Sequence, residues 1–353
     1  MDSEGSHRGH NHIAAGMKTS HLLVYVSTAL SACISCVQKA DTEHTDGKSM
    51  TLSVSVDSGH AVRGTSPGSE DAVNDIQILL FRDGILYAAA SSDEEKTDLK
   101  VSPGSYSLYA FVNDPADWVS RPDMTEATIR NSVSSFSDNS TSSFVMFGCI
   151  PELVADEESA TTTVHVDRLM SRIVLENITA DFSSNPYYRG CSLQVRNIYI
   201  TNVIGTCPYS MTPESAPSST GIWYNRMGPE SCPSSVSSMT SDIGLDISIA
   251  DGTSKDIGRI YYAYPNGCVS DSYSETWQAR RCRLAIEAVL DGKECWYHIT
   301  LPPMEPNASY IISNCTIKNL GGKSPEDNSW PSCEAVITKS VNWDRTFTVE
   351  EES

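Results

Sequence analysis

Basic charge is what this sequence is short of. It carries 25 Lys and Arg against 45 Asp and Glu, a formal net charge of −20. Phosphate backbones and anionic lipid surfaces are held by clustered Lys and Arg, so neither is expected as a partner. Helical periodicity is scarce as well, few segments repeating apolar residues at three- and four-residue spacing. After residue 33 no apolar run approaches the length that spans a bilayer, so any membrane attachment has to come from lipid. Short-period repeats are missing, which argues against solenoids and propellers.

Catalytic constellations are missing too. Gly64-Thr65-Ser66-Pro67-Gly68 has the outline of a nucleophile elbow. The residue after the serine must donate its N–H to an oxyanion, and Pro67 has none. Gly321-Gly322-Lys323-Ser324 imitates the end of a phosphate-binding loop, but the first glycine of that motif would fall on Ile317. His60, His165 and His298 have no assignable Ser, Asp or Glu partner, and Asp93-Glu94-Glu95 reads as a solvated loop. Cys and His do not recur in close pairs at zinc-ligand spacing. No enzymatic activity, cofactor or metal is expected.

What is present begins at the start of the chain. Met17-Lys18-Thr19-Ser20-His21 is a short basic stretch, Leu22 to Leu30 a mostly apolar run, and Leu30-Ser31-Ala32-Cys33 closes it. A basic start, an apolar run too short to span a bilayer and small residues before a cut describe a signal peptide. The cysteine after Leu-Ser-Ala gives it the look of a bacterial lipobox. Cleavage after Ala32 would then leave lipidated Cys33 as the new N-terminus. Met17 is the expected start, unless the leader is simply long. Losing residues 1–32 removes two acids (Asp2, Glu4) and two bases (Arg8, Lys18), so the mature chain keeps its charge of −20.

Residues 33–353 are too many for one ordinary domain and comfortable for two. The other cysteines are Cys36, Cys149, Cys191, Cys207, Cys232, Cys268, Cys282, Cys295, Cys315 and Cys333. Most follow residue 190, so an oxidising compartment would place some disulfides in the C-terminal half, with connectivity left open. Cys33 and Cys36 also spell C-x-x-C, but no βαβ pattern surrounds them.

The body reads as β-structure. Met50, Leu52, Val54 and Val56 alternate with polar residues, the mark of a strand with one apolar face. A polar stretch from Asp57 to Asp71 follows, with Arg63 in its middle. Ile76 to Phe81 and Ile85 to Tyr87 flank Asp83-Gly84, and Leu284 to Leu290 and Glu294 to Leu301 flank Asp291-Gly292. Asp-Gly between apolar runs predicts a hairpin. Further strands are expected after Pro103-Gly104, over Phe144 to Ile150, Leu193 to Val203 and Ile260 to Tyr264. Val164 to Leu175 reads as two strands meeting near Arg168, the expected domain boundary. Cys207 to Asp242 reads as loop or insertion. Val341, Trp343, Phe347 and Val349 share one face of the final segment, interrupted by Arg345. The pattern predicts an all-β protein of two β-sandwiches, residues 33–168 and 169–353.

Several segments together resemble the Bacteroidetes fimbrillin family, the subunits of type V pili. They are Ile76 to Tyr87, Pro103-Gly104-Ser105-Tyr106 leading to Phe111-Val112-Asn113, Arg168 to Ile173, and Tyr262-Ala263-Tyr264-Pro265-Asn266. Asp291-Gly292-Lys293, Asn307-Ala308-Ser309-Tyr310 and Val341-Asn342-Trp343 complete the set. The resemblance implies two transthyretin-like β-sandwiches in tandem, exported as an outer-membrane lipoprotein with palmitate-type acylation of Cys33. It implies a cut by a processing protease after a basic residue, here Arg63 before Gly64. The strand bearing Met50, Leu52, Val54 and Val56 would then leave. Another subunit's C-terminal strand, here Val341, Trp343, Phe347 and Val349, would fill the groove and build a surface fimbrium. The cysteines and the Cys207–Asp242 stretch leave room for a tip or accessory subunit. The alternative is a surface lipoprotein that binds carbohydrate or host matrix through Trp118, Trp223, Tyr224, Trp277, Trp296 or Trp330.

Overall fold

Two Asp-Gly turns shape the two halves of the chain alike. Asp83 and Gly84 have φ of 53° and 78°, and Asp291 and Gly292 have φ of 50° and 72°. Positive φ at both central residues matches the twist of the flanking strands, which is why these dipeptides close hairpins. The computed structural model describes residues 36–37, 49–58, 70–121, 123–156, 160–211, 223–225, 237–271, 280–325, 333–340 and 343.

The first half contains β1 (Cys36–Val37), β2 (Met50–Asp57), β3 (Ile76–Arg82), β4 (Ile85–Ser92) and β5 (Lys96–Val101). It continues with β6 (Gly104–Val112), β7 (Val133–Ser135), β8 (Met146–Ala155), β9 (Thr161–His165) and β10 (Asp167–Arg168). Strands β1-β4-β3-β6-β8-β10 form one sheet and β5-β2-β9 a second. Their facing side chains make one core, Ile76, Ile78, Leu80, Leu108 and Ala110 meeting Leu52, Val54, Val56, Leu99 and Val164. The chain crosses back between the two sheets from β9 to β10, beside the start of β8. A Cβ on Gly148 would stand 2.0 Å from the His165 carbonyl oxygen there, so glycine permits the approach.

The second half contains β11 (Ser171–Ala180), β12 (Ser192–Thr201), β13 (Val203–Ile204), β14 (Thr206–Pro208), β15 (Trp223–Tyr224) and β16 (Ser241–Asp242). After these come β17 (Ile247–Ala250), β18 (Thr253–Ala263), β19 (Arg283–Leu290), β20 (Lys293–Thr300), β21 (Ser309–Ile317) and β22 (Glu334–Ser340). One sheet runs β18-β11-β21-β22 and another β16-β12-β19-β20, with β17 also on β12. Most pairings are antiparallel, β2 with β9 and β11 with β21 being parallel. The expected all-β class is what the chain adopts.

The sheets sort with the sequence, one pair ending at β10 and the next beginning at β11, yet Cys33–Ser353 is one compact unit. Strand pairing and a shared core both bridge the halves. β7 pairs with β14, Ser134 opposite Cys207. The second core also extends past its own sheets to take in Leu79, Phe81, Phe111 and Phe147 from the far side of the first sheet. That explains Ile76 to Phe81, apolar at all but one position where alternation would be expected. Ile78 and Leu80 face one core, Leu79 and Phe81 the other. The single polar residue in the run, Gln77, donates to the carbonyls of Asp114 and Ala116 at 3.1 and 2.8 Å and accepts from the Trp118 N–H at 2.8 Å.

Candidate functional site

The strand carrying Met50, Leu52, Val54 and Val56 lies in the middle of its sheet. β5 runs antiparallel on one side, with Leu52 opposite Leu99 and Val54 opposite Thr97. β9 runs parallel on the other, with Val54 opposite Thr162 and Val56 opposite Val164. Leu52 and Val54 have no exposed surface and Val56 very little, while Met50 at the start is half-buried. The other face is polar and wet. Lys100 Nζ donates to Thr51 Oγ1 at 2.6 Å, and the Ser55 and Thr163 hydroxyls lie 2.9 Å apart. Taking β2 away would open a trough floored by Ile78, Leu80 and Leu108 and bordered by two rows of unpaired backbone groups.

The chain leaves β2 at Asp57, whose carbonyl accepts from the Val166 N–H at 2.9 Å. Arg63 and Gly64 lie outside the described residues. The chain returns at Glu70 and Asp71, in a clasp that the halves share. Arg168, with 1% of its side chain exposed, pairs with the Asp71 carboxylate and donates to the Glu70 carbonyl at 3.2 Å. Arg172 Nη1 stands 2.9 Å from Glu70 Oε2, and the Tyr262 hydroxyl donates to Glu70 Oε1. A guanidinium buried this deeply needs several acceptors, and Asn307 Oδ1 supplies another at 3.2 Å. Burial, and next the Glu70 carboxylate it bonds, push the Tyr262 phenol above its usual range, so it remains a donor.

Trp343 closes this clasp. It is 4% exposed, its carbonyl accepts from Arg172, and the guanidinium carbons of Arg168 and Arg172 sit 4.6 and 5.2 Å from its ring. Phe144 and Tyr262 pack against the same ring at 5.1 and 5.5 Å. Of the expected donor face, Val341, Phe347 and Val349 lie outside the described residues, as do Ala32 and Cys33. Glu70, Asp71 and Phe144 carry no mark in the sequence. The usable signal is Arg168 and Arg172 within an apolar strand junction, because buried bases require acids.

Of the aromatic residues expected to meet carbohydrate, Trp118 and Tyr224 are engaged in packing. Trp118 is buried, stacked on Phe111 at 4.4 Å with its N–H on Asp114 at 2.9 Å, and Tyr224 packs on Phe136 at 4.8 Å. Neither offers a free ring to a sugar. Trp296 is half-buried, and the side chains of Trp223, Trp277 and Trp330 lie outside the described residues. The His165 imidazole, half exposed, lies 3.3 Å from Asp167. Among the described residues no group of His, Cys, Asp and Glu is disposed to hold a metal ion. A cavity of about 400 Å³ beside Gly84 is lined by Ser107, Glu126 and Glu152 and has no histidine, cysteine or basic side chain in its wall. The described cysteines from Cys149 to Cys333 are free thiols.

No family model matches the chain, and no curated protein matches it by sequence. Solved structures do match. A fimbrilin (fimA) from Porphyromonas gingivalis W83 superposes with a TM-score of 0.59 at 11% identity, over 86% of this chain and 99% of that one. A candidate cell adhesion protein from Parabacteroides distasonis ATCC 8503 gives 0.58 at 13% identity, over 84% and 99%. Another from Bacteroides eggerthii DSM 20697 gives 0.57 at 15% identity, over 84% and 97%. Across nearly the full length of these structures, the chain has the all-β fold of a fimbrilin.

Proposed function

We propose that this chain is a fimbrial subunit of the fimbrillin family, delivered to the outer membrane as a lipoprotein and polymerised by exchange of strands between subunits. Lipidated Cys33 is the delivery anchor. A protease cuts after Arg63, Cys33 and β2 leave together, and the trough is filled by the C-terminal strand of another subunit. The central place of β2 carries this reading. An edge strand would leave a flat sheet when removed, whereas a middle strand leaves a slot with a partner edge on each side. Backbone pairing along those edges gives an incoming strand affinity, and its alternate side chains fill the positions of Leu52, Val54 and Val56. The likeness in fold to a fimbrilin supports the same reading.

The two half-chains act as tandem domains with the Arg168–Trp343 clasp between them. Residues 341–349 leave as one strand only if Trp343 lets go of Arg168, Arg172, Phe144 and Tyr262. Release of the clasp is therefore part of donation. The chain's role is structural and adhesive, with no catalysis or cofactor, and its partners are other subunits and the processing protease.

Limited digestion with an Arg-specific protease tests this. The wild-type chain should give a new N-terminus at Gly64 and then a ladder of higher oligomers. Arg63→Ala should give neither. Protein that is cut at Gly64 and stays monomeric would refute polymerisation by exchange.

A further inference from the structure

We propose that Cys315 and Cys333 form a disulfide that fastens the last sheet strand of the second half to its neighbour. β21 and β22 are antiparallel, with Cys315 opposite Ala335 and Thr316 opposite Glu334. Cys333 thus lies diagonally across from Cys315 on the same face, and both side chains are buried in the second core. Diagonal neighbours stand about 7–8 Å apart, at the edge of disulfide reach, so one backbone has to shift slightly for the sulfurs to bond. Cys333 also precedes the first paired residue of β22, so its backbone is free of the ladder and can close to disulfide distance. The two thiols, unbonded in this structure, are near enough for Cys333 to act on Cys315, and Cys333 also points to the His298 carbonyl at 3.9 Å.

A third thiol, Cys295, shares this core but is otherwise engaged. Its sulfur reaches the Ala288 carbonyl at 3.6 Å and the Tyr297 hydroxyl at 3.5 Å. It belongs to β20 in the opposite sheet. Buried cysteines are often only small apolar side chains. What separates this pair is that each thiol has the other as its neighbour.

The oxidant is an exchangeable disulfide, from glutathione or a thiol oxidase protein. One cysteine loses its proton, and its thiolate attacks the donor disulfide and releases a donor thiolate, leaving a mixed disulfide. The thiolate of the second cysteine attacks the protein sulfur of that bond and releases the second donor thiolate. Two protons pass to the released thiolates, the cysteines are oxidised by two electrons, and the donor is reduced to two thiols. Burial, and then the neighbouring thiol, hold Cys315 protonated in the folded chain. Exchange therefore belongs to folding, before β22 docks.

The bridge would close the chain between β21 and β22 and hold β22 on its sheet while the residues after Ser340 depart. Only the segment beyond the staple would be free to exchange.

The purified full-length chain, refolded in a glutathione redox buffer, tests the pairing without reference to fibres or export. Free thiols are alkylated, and peptides from combined tryptic and chymotryptic digestion, separated at Trp296, Tyr297, Tyr310, Lys318 and Lys323, are read by mass spectrometry with and without reductant. The expected result is a Cys315–Cys333 peptide pair that reduction splits. It should survive in Cys295→Ser and vanish in Cys315→Ser, and reduction should lower the melting temperature by about 5 °C. Complete alkylation of Cys315 and Cys333 without reductant overturns the proposal, and so does a bridge joining either to Cys295. A bridged chain that stays monomeric after cleavage at Arg63 would uphold the disulfide and remove the fibre reading.

Discussion

The two halves of the molecule treat their terminal strands in opposite ways. In the first half β2, near the start of the chain, is the middle strand of β5-β2-β9. In the second half β22, near the end, is the outer strand of β18-β11-β21-β22. Losing β2 breaks two ladders and uncovers an apolar slot. Losing the residues beyond β22 breaks no described ladder. Under the proposed exchange, the first half would offer the slot and the segment after β22 would supply the strand. The clasp of Glu70, Asp71, Arg168, Arg172 and Trp343 sits where both ends meet the body.

If the clasp holds both ends, damaging it should loosen both halves at once, and this is the largest effect expected. Arg168→Ala removes a buried guanidinium from Asp71, Asn307 and the face of Trp343. Breaking a pair of this kind costs roughly 3–5 kcal/mol. Denaturant melts followed by hydrogen exchange should show lost protection in β3 and in β11 together. Loss confined to one half would mean that the clasp does not couple them.

Next in size is the strand that sets the halves apart. Leu52 is fully buried, so Leu52→Ala should destabilise the intact chain by roughly 2–5 kcal/mol. After cleavage at Arg63 and exchange, the same substitution should have no effect, since the strand that bears it has gone. A penalty that persists in the oligomer would show that β2 is retained. Ile337→Ala provides the contrast at the edge. Ile337 is only partly buried, opposite Ile312, and its truncation should cost about 1 kcal/mol. Equal losses at Leu52 and Ile337 would erase the difference between central and edge strand.

Much of this is legible in the residues. Alternation places β2, and positive-φ dipeptides place both hairpins, because each is a local rule that packing had no reason to override. The buried face of β2 comes from the same alternation. Three things are not legible. The central position of β2 depends on β9 coming back parallel beside it, a long-range pairing that no local pattern encodes. The acids of the clasp come from the end of a polar stretch, where Glu70 and Asp71 look like any solvated loop pair. Trp343 reads as one apolar residue of an alternating strand, and its burial between two arginines is visible only when residues 168, 172 and 343 are in one place.

The smallest effect concerns the segment that joins the clasp to β3. Asp75 lies between them, and burial, followed by repulsion from Asp114, raises its carboxyl above the usual value. A raised carboxyl pKa in the folded chain means that the charged form is penalised there. Near neutral pH the ionised Asp75 therefore subtracts from stability, and protonation relieves the penalty as the pH falls through the raised folded value. Asp75→Asn removes the charge and keeps the size, so it should raise the melting temperature slightly at neutral pH. The gain over wild type should shrink as the pH is lowered toward the carboxylate range, where the native side chain is neutral as well. A gain independent of pH would mean that the charge is not its source. A loss at every pH would mean that the carboxylate helps to hold the segment in which a cut chain would begin, adding a third acid to Glu70 and Asp71 at that end.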